Sequence, residues 1–318
     1  MRALVPMLAL STAMMAAPLL AQDPVLPAAP AKTAAPAGES VDVGKANRLT
    51  VQVSVAEKGP FSFVVDTGAE RSVVSRELAD ELKLARGPGA RVFDFAGAST
   101  VDTARVPSLS AGTLGTATFN APMLDQANLG AAGLLGIDAL QGHKVVIDFD
   151  RNRMTVIPAT RHTDGDVVVG AQERLGQLIV TKASFNGEPI SVIIDTGSWI
   201  SVGNSAMRRL MKGKPRPLGP VSVQSVTGRT FDAEYFMVDA IRIGEVRFDA
   251  FGLSFADVPP FERFGLKDKP ALILGMSSIR MFRRVEIDFV NRKVAFTLPR
   301  PKLDLRNTCR GYSACRSF

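Results

Sequence analysis

One short pattern occurs twice in this chain of 318 residues, and the spacing of its copies constrains the fold more than any other feature. FSFVVDTGAERSVVS (Phe61 to Ser75) and ISVIIDTGSWISVGN (Ile190 to Asn204) set Asp66-Thr67-Gly68 and Asp195-Thr196-Gly197 at an offset of 129 residues. At the same offset Leu49 matches Leu178, Pro60 matches Pro189, Ser72 matches Ser201 and Val73 matches Val202. Farther along, GLLGIDAL (Gly133 to Leu140) matches LILGMSSI (Leu272 to Ile279), and VVIDFDRNRMTV (Val145 to Val156) matches VEIDFVNRKVAF (Val285 to Phe296). Three matched blocks in one order mean two copies of one fold unit, and the period is far too long for a solenoid.

Each copy reads as mainly β. Short apolar runs such as LTVQVSV, VVIDF, LIVTKASF and VRFDAF are separated by Gly, Pro and Asn turns, a strand pattern. Asn186-Gly187 predicts a tight hairpin turn. Helical pattern is confined to Arg76 to Leu84 and Ser205 to Met211, just after each Asp-Thr-Gly. In both motifs an apolar run delivers an aspartate to a tight turn, which points a carboxylate out of a strand end.

The expected organisation is a secretory signal over 1–21, a flexible Ala/Pro-rich tether over 22–46, a first lobe over 47–160, a linker over 161–173, a second lobe over 174–300 and a polar tail over 301–318. Arg2, the following apolar run and Ala21 before Gln22 fit a cleaved signal, with a retained N-terminal anchor as the alternative. Either way the chain is expected to be periplasmic or secreted. The tether holds too few large apolar side chains to offset the entropy of ordering. Cys309 and Cys315 lie in the tail, where an oxidising compartment would let them close a small loop.

The chemistry narrows by elimination. The formal charge is +7, but the basic residues are scattered, and a secreted chain is not expected to meet nucleic acid. The densest cluster, Arg208, Arg209, Lys212, Lys214 and Arg216, reads as a solvated helix end and loop, or as an attraction for an anionic membrane or cell-wall surface. His143 and His162 belong to no metal-ligand pattern, so no metal is expected. There is no Gly-x-Ser-x-Gly elbow and no glycine-rich phosphate loop, and the two cysteines lie outside both lobes. No cofactor is expected. The pair of carboxylates remains.

Glycosidases hold two carboxylates at least about 5 Å apart, around a sugar. Two copies of one lobe related by a twofold axis would instead bring Asp66 and Asp195 close enough to compete for one proton. One member can then take a proton from a bound water while the other hydrogen-bonds a substrate carbonyl. That arrangement suits amide hydrolysis.

These motifs resemble those of the aspartic proteases, specifically the retropepsin-like type, over nearly everything between residues 48 and 299. Asp66 to Ala69 resembles the retroviral form of the motif and Asp195 to Ser198 the pepsin form; Leu134-Leu135-Gly136 and Ile273-Leu274-Gly275 are similar to the family's second signature. The resemblance implies two β-barrel lobes about a pseudo-twofold axis, catalysis by Asp66 and Asp195, and support from Thr67, Gly68, Thr196, Gly197 and Ser198. It also implies a hairpin flap in each lobe, for which the candidates are Phe95 to Ser99 with Gly97 and Ala98, and Ser225 to Arg229 with Thr227 and Gly228. A single chain carrying both halves is expected to work as a monomer on polypeptide substrates, and the type resembles periplasmic enzymes of Gram-negative bacteria. A non-catalytic peptide-binding or scaffold role for the same cleft is the alternative, with a carbohydrate-active enzyme as a third reading. Phe93, Phe95, Ile200 and Phe231 supply apolar side chains near the site. One asymmetry separates the loops: Ser198 stands where the first loop has Ala69, and its hydroxyl is expected to hydrogen-bond the Asp195 carboxylate and make Asp195 the more readily ionised member.

Overall fold

A computed structural model describes residues 50–299 apart from 161 and 215. The segments expected to be a signal (1–21), a tether (22–46) and a tail with Cys309 and Cys315 (301–318), and the lobe ends at 47–49 and 300, lie outside the described residues. The first copy runs β1 (Thr50–Val55), β2 (Lys58–Val65), β3 (Val73–Ser75), α1 (Arg76–Glu81), β4 (Arg86–Asp94), β5 (Gly97–Val106) and β6 (Leu109–Ala111). It continues through β7 (Leu114–Thr116), β8 (Phe119–Leu124), α2 (Gln126–Leu129), β9 (Gly133–Leu135), α3 (Ile137–Leu140), β10 (His143–Asp148) and β11 (Arg153–Pro158).

After β12 (Val167–Arg174) the same order returns element for element. It runs β13 (Gln177–Phe185), β14 (Glu188–Ile194), β15 (Val202–Gly203), α4 (Ser205–Arg208), β16 (Arg216–Gln224), β17 (Thr230–Val238) and β18 (Ile241–Ile243). Then come β19 (Val246–Phe248), β20 (Phe251–Phe255), α5 (Pro259–Arg263), β21 (Ala271–Leu274), α6 (Met276–Ile279), β22 (Arg284–Asp288) and β23 (Lys293–Thr297). The fold is two homologous β lobes. Most of the segment read as a linker is strand: Val167, Val168 and Val169 of β12 pair with Phe296, Ala295 and Val294 of β23. A run of β-branched residues beside an open sheet edge favours pairing over a free connection.

Local rules explain several elements. Asn186 and Gly187 have φ of 54° and 90°, the left-handed pair that a two-residue hairpin turn requires. The short helix after each Asp-Thr-Gly loop is capped at equivalent positions, Ser75 Oγ accepting from the Leu78 N–H at 3.0 Å and Asn204 Oδ1 from the Met207 N–H at 2.8 Å.

The lobes are joined through the final hairpin of each. In the larger sheet β11, β10, β22, β23 and β12 are consecutive, with β10 of the first copy antiparallel to β22 of the second. Val145 pairs with Ile287, Ile147 with Val285, and Val146 with Glu286. Because Val145 and Val285 are equivalent residues of the repeat, this register is itself twofold symmetric. One hydrophobic core runs through both copies, including Phe63, Val145, Phe185, Ile287 and Phe296.

A buried ion pair crosses the same seam. Lys144 Nζ lies 2.9 Å from Glu286 Oε2, with side-chain exposures of 5% and 1%. Nζ also donates to the His162 carbonyl at 3.0 Å, and Oε2 accepts from the Asp164 N–H at 3.2 Å. Arg284 Nη2 approaches Oε1 to 2.5 Å without hydrogen-bond alignment. Removing one partner of such a pair strands a buried charge, which is strongly destabilising. Lys144→Met is therefore expected to lower the unfolding free energy by about 3 kcal/mol, the retained Arg284 keeping the loss near the lower end. Chemical denaturation of the variant against the parent measures it.

Candidate active site

Both Asp-Thr-Gly loops are built the same way. β2 lies parallel to β9, with Val64 against Leu134 and Val65 against Leu135, and the Asp66 N–H donates to the Leu135 carbonyl at 2.9 Å. β14 lies parallel to β21 in the second copy, and the Asp195 N–H donates to the Leu274 carbonyl at 3.0 Å. The expected second signature thus lies beside each loop. Ser72 and Ser201, noticed in the sequence only as matched positions, tie the two pieces together: their hydroxyls accept the Gly136 and Gly275 N–H groups at 3.1 and 3.0 Å.

The threonines join the two loops. Thr67 Oγ1 donates to the Ile194 carbonyl and Thr196 Oγ1 to the Val65 carbonyl, both at 2.8 Å. Each hydroxyl also accepts the other threonine's backbone N–H, at 3.1 and 3.2 Å. Thr67 and Thr196 are buried, so these bonds form where water does not compete.

This grip sets the carboxylates face to face. A Cβ at Gly68 would lie 2.6 Å from the Asp195 Cγ, and one at Gly197 would overlap the Asp66 carboxyl group. Glycine is needed at both positions because each carboxylate packs on the opposite loop. Asp66 Oδ1 accepts the Gly68 and Ala69 N–H groups at 2.8 and 3.0 Å, and Asp195 Oδ1 accepts those of Gly197 and Ser198 at 2.9 and 3.1 Å. Burial, then the neighbouring Asp66 charge, push the Asp195 carboxyl well above the usual carboxylate range; the loop N–H groups oppose this, and a hydrogen bond with Asp66 adds to it.

The expected role of the Ser198 hydroxyl is corrected here. Ser198 Oγ donates to the Ile200 carbonyl at 2.9 Å, and only the backbone N–H of Ser198 reaches the aspartate. Ala69 offers Asp66 the same backbone donor, so the Ser198 hydroxyl adds no hydrogen bond that distinguishes the two carboxylates. Burial and the neighbouring Asp66 push the Asp195 carboxyl upward, the reverse of the expectation drawn from Ser198.

The aspartates line a cavity of about 590 Å³ together with Phe93, Phe95, Trp199 and Val226. The two flap candidates form the β4–β5 and β16–β17 hairpin tips, and they meet. Thr227 Oγ1 donates to Asp94 Oδ2 at 2.5 Å, and Arg229 Nη1 to the Ala98 carbonyl at 3.3 Å. Phe95 packs edge-on to Phe231 with ring centroids 5.8 Å apart, while Ile200 packs partly buried in the second lobe. Each hairpin also touches the opposite lobe: Gln224 Nε2 donates to Asn128 Oδ1 on α2 of the first lobe at 3.3 Å, and Arg263 of α5 lies 5.3 Å from the Phe93 ring. Arg263 also grips the Glu70 carboxylate with two nitrogens.

These cross-lobe contacts, and Gln177, whose Nε2 donates to the Gly68 carbonyl, had no signal in the sequence. In the basic cluster, Arg208 pairs with Glu234 at 3.3 Å and Lys212 donates to the Asn186 carbonyl at 3.0 Å.

Two β lobes, each with a buried aspartate on a tight loop and the loops locked together by threonine, define an aspartic-protease class of fold. Residues 51–142 match the family described as gag-polyprotein putative aspartyl protease, and residues 181–278 match the aspartyl protease family. The chain belongs to the retropepsin-like aspartic proteases, in the duplicated form that carries both lobes in one polypeptide. Compared with curated proteins, it finds no significant match.

The raised Asp195 carboxyl has a consequence for stability. A free aspartate ionises near pH 4, whereas Asp195 keeps its proton to higher pH in the fold. Folding therefore takes up a proton between those two points, and stability falls as pH rises through that window. Asp195→Asn removes this loss, so the variant is expected to be more stable than the parent at neutral pH, with the gain fading as pH drops below about 4. Urea denaturation of both proteins from acid to neutral pH checks the sign.

Proposed function

We propose that this protein is an aspartic endopeptidase that hydrolyses extended polypeptides in a cleft between its lobes, using Asp66 and Asp195 and no metal or cofactor. One observation carries the reading: two buried carboxylates are each packed against the opposite Asp-Thr-Gly loop, where a Cβ on Gly68 or Gly197 would run into the facing carboxyl group, and burial with the Asp66 charge raises the Asp195 carboxyl. Two carboxyl groups so placed share a single proton over the range between their two ionisations. The ionised member, Asp66, takes a proton from a water between the carboxylates as the water oxygen attacks the scissile carbonyl carbon. Asp195 gives its proton to the carbonyl oxygen. Collapse of the resulting gem-diol returns a proton to Asp195, passes the one held by Asp66 to the departing nitrogen, and breaks the C–N bond.

The hairpins at Gly97-Ala98 and Thr227-Gly228 act as flaps, and substrate entry parts the Thr227–Asp94 contact. A peptide lying extended beneath them can pair with backbone as an added strand does. Phe93, Phe95 and Trp199 line the cavity, which favours apolar or aromatic side chains near the cut. Because one chain carries both aspartates, a monomer completes the site. The signal expected over residues 1–21 supports a periplasmic or secreted location.

Asp66→Asn and Asp195→Asn are each expected to lower the cleavage rate of casein by at least about 100-fold while keeping the parent's circular dichroism spectrum. Pepstatin should block the parent, and peptide-library profiling should return apolar or aromatic residues beside the scissile bond. Near-parental turnover in either variant would overturn the dyad. Peptide binding without cleavage by the parent would favour the non-catalytic alternative.

A further inference from the structure

Gln177 opens β13 in the second lobe, yet its side chain acts on the first. It is buried, lines the cavity shared by Asp66 and Asp195, and donates from Nε2 to the Gly68 carbonyl. That carbonyl and the Ala69 N–H belong to one peptide group, and the Ala69 N–H donates to Asp66 Oδ1 at 3.0 Å. A bond from one lobe therefore grips the peptide plane that solvates the aspartate of the other. A hydrogen bond accepted at a peptide carbonyl also polarises the group and strengthens the donor at its far end.

The β12–β13 hairpin turn carries Gln177 to this position and is pinned on both sides. Leu175 and Gly176 take left-handed φ of 51° and 83°, which brings the turn down on α3 of the first lobe. A Cβ on Gly176 would lie 2.9 Å from Ile137 Cγ2. Arg174, cross-strand partner of Gln177, donates to the Phe264 carbonyl at the end of α5. The side chain thus starts from a fixed point.

Its other end argues against a packing role. Gln177 Oε1 is buried and has no hydrogen-bond partner among the described residues. An unpaired buried amide oxygen costs stability, whereas a leucine or methionine would fill similar space without that cost. What glutamine supplies here, and they cannot, is the donor to Gly68.

We propose that Gln177 is a positioning residue for Asp66: by holding the Gly68–Ala69 peptide group across the lobe interface, it keeps the Ala69 N–H aimed at the carboxylate and biases which form of the pair prevails. Its kinetic consequence rests on the reading of the pair as a catalytic dyad. Its effect on carboxyl titration does not. The other charged groups lining the cavity are Asp195, Glu70 and Arg71 on the loops, Arg91 and Asp94 on β4, and Arg263 on α5, and all are unchanged in the variants below.

The test is carboxyl-carbon NMR titration of the full protein, alongside the pH dependence of kcat/KM on casein-derived peptides. Gln177→Leu and Gln177→Met remove the donor and keep the bulk. Each is expected to weaken the acidity of the first-ionising carboxyl of the pair about tenfold, one pH unit, and to move the acid limb of kcat/KM upward by the same amount. kcat should fall several-fold with KM within about twofold of the parent, since the lost contact aims a reacting group and does not hold substrate. Gln177→Glu should raise the titration further once the new carboxylate ionises beside the pair. Unshifted titrations in folded Leu and Met variants would overturn the proposal, as would loss of native structure in both, which would make Gln177 a structural residue. If the parent cleaves no peptide, the dyad reading fails and the titration alone decides the role of Gln177.

Discussion

The exchange of hydrogen bonds between Thr67 and Thr196 is the constraint on which the rest of the site depends. Each hydroxyl donates to a strand-end carbonyl of the opposite lobe and accepts the opposite threonine's N–H. Both side chains are buried, so leaving any of these groups unpaired would be costly. The geometry admits one relative placement of the loops. That placement seats two acidic groups in contact, an arrangement a chain would not adopt for stability alone.

The consequences are local and physical. Glycine follows each threonine because the opposite carboxylate occupies the space a Cβ would take. Two loop N–H groups face each aspartate; at Asp195 they favour the charged form, while burial and Asp66 oppose it. The balance leaves Asp195 with its proton well above the ordinary range, and a pair so poised can give and take a proton in one step. A carboxyl held protonated in the fold loses stability as pH rises through its titration.

Around the loops, the two lobes hold each other through contacts of different kinds. The β10–β22 seam supplies a continuous sheet with a symmetric register, and the buried Lys144–Glu286 pair ties it across. Above the cavity the contacts are lighter: a Thr227–Asp94 hydrogen bond, an edge-on Phe95–Phe231 pair, and Arg263 on Glu70. A continuous sheet with a buried ion pair thus joins the lobes on one side, and a few polar and aromatic contacts join them across the cavity.

Much of this was legible in the sequence, because it is written in local pattern. The repeat at 129 residues announced two lobes; the apolar runs announced strands; Asn186-Gly187 announced its hairpin; and the aspartates stood out because both copies carry them. Those features depend on residues within a few positions of one another, where backbone preference and period decide. Local turn geometry and the packing of distant segments decided the remainder. Ser198 turned from its aspartate to the Ile200 carbonyl, the segment after residue 161 became β12 by finding an edge in β23, and Gln177 reached Gly68, 109 positions away in the chain. No spacing rule encodes which side chains meet across an interface formed by segments more than 100 residues apart, since their approach is fixed by how two finished surfaces pack.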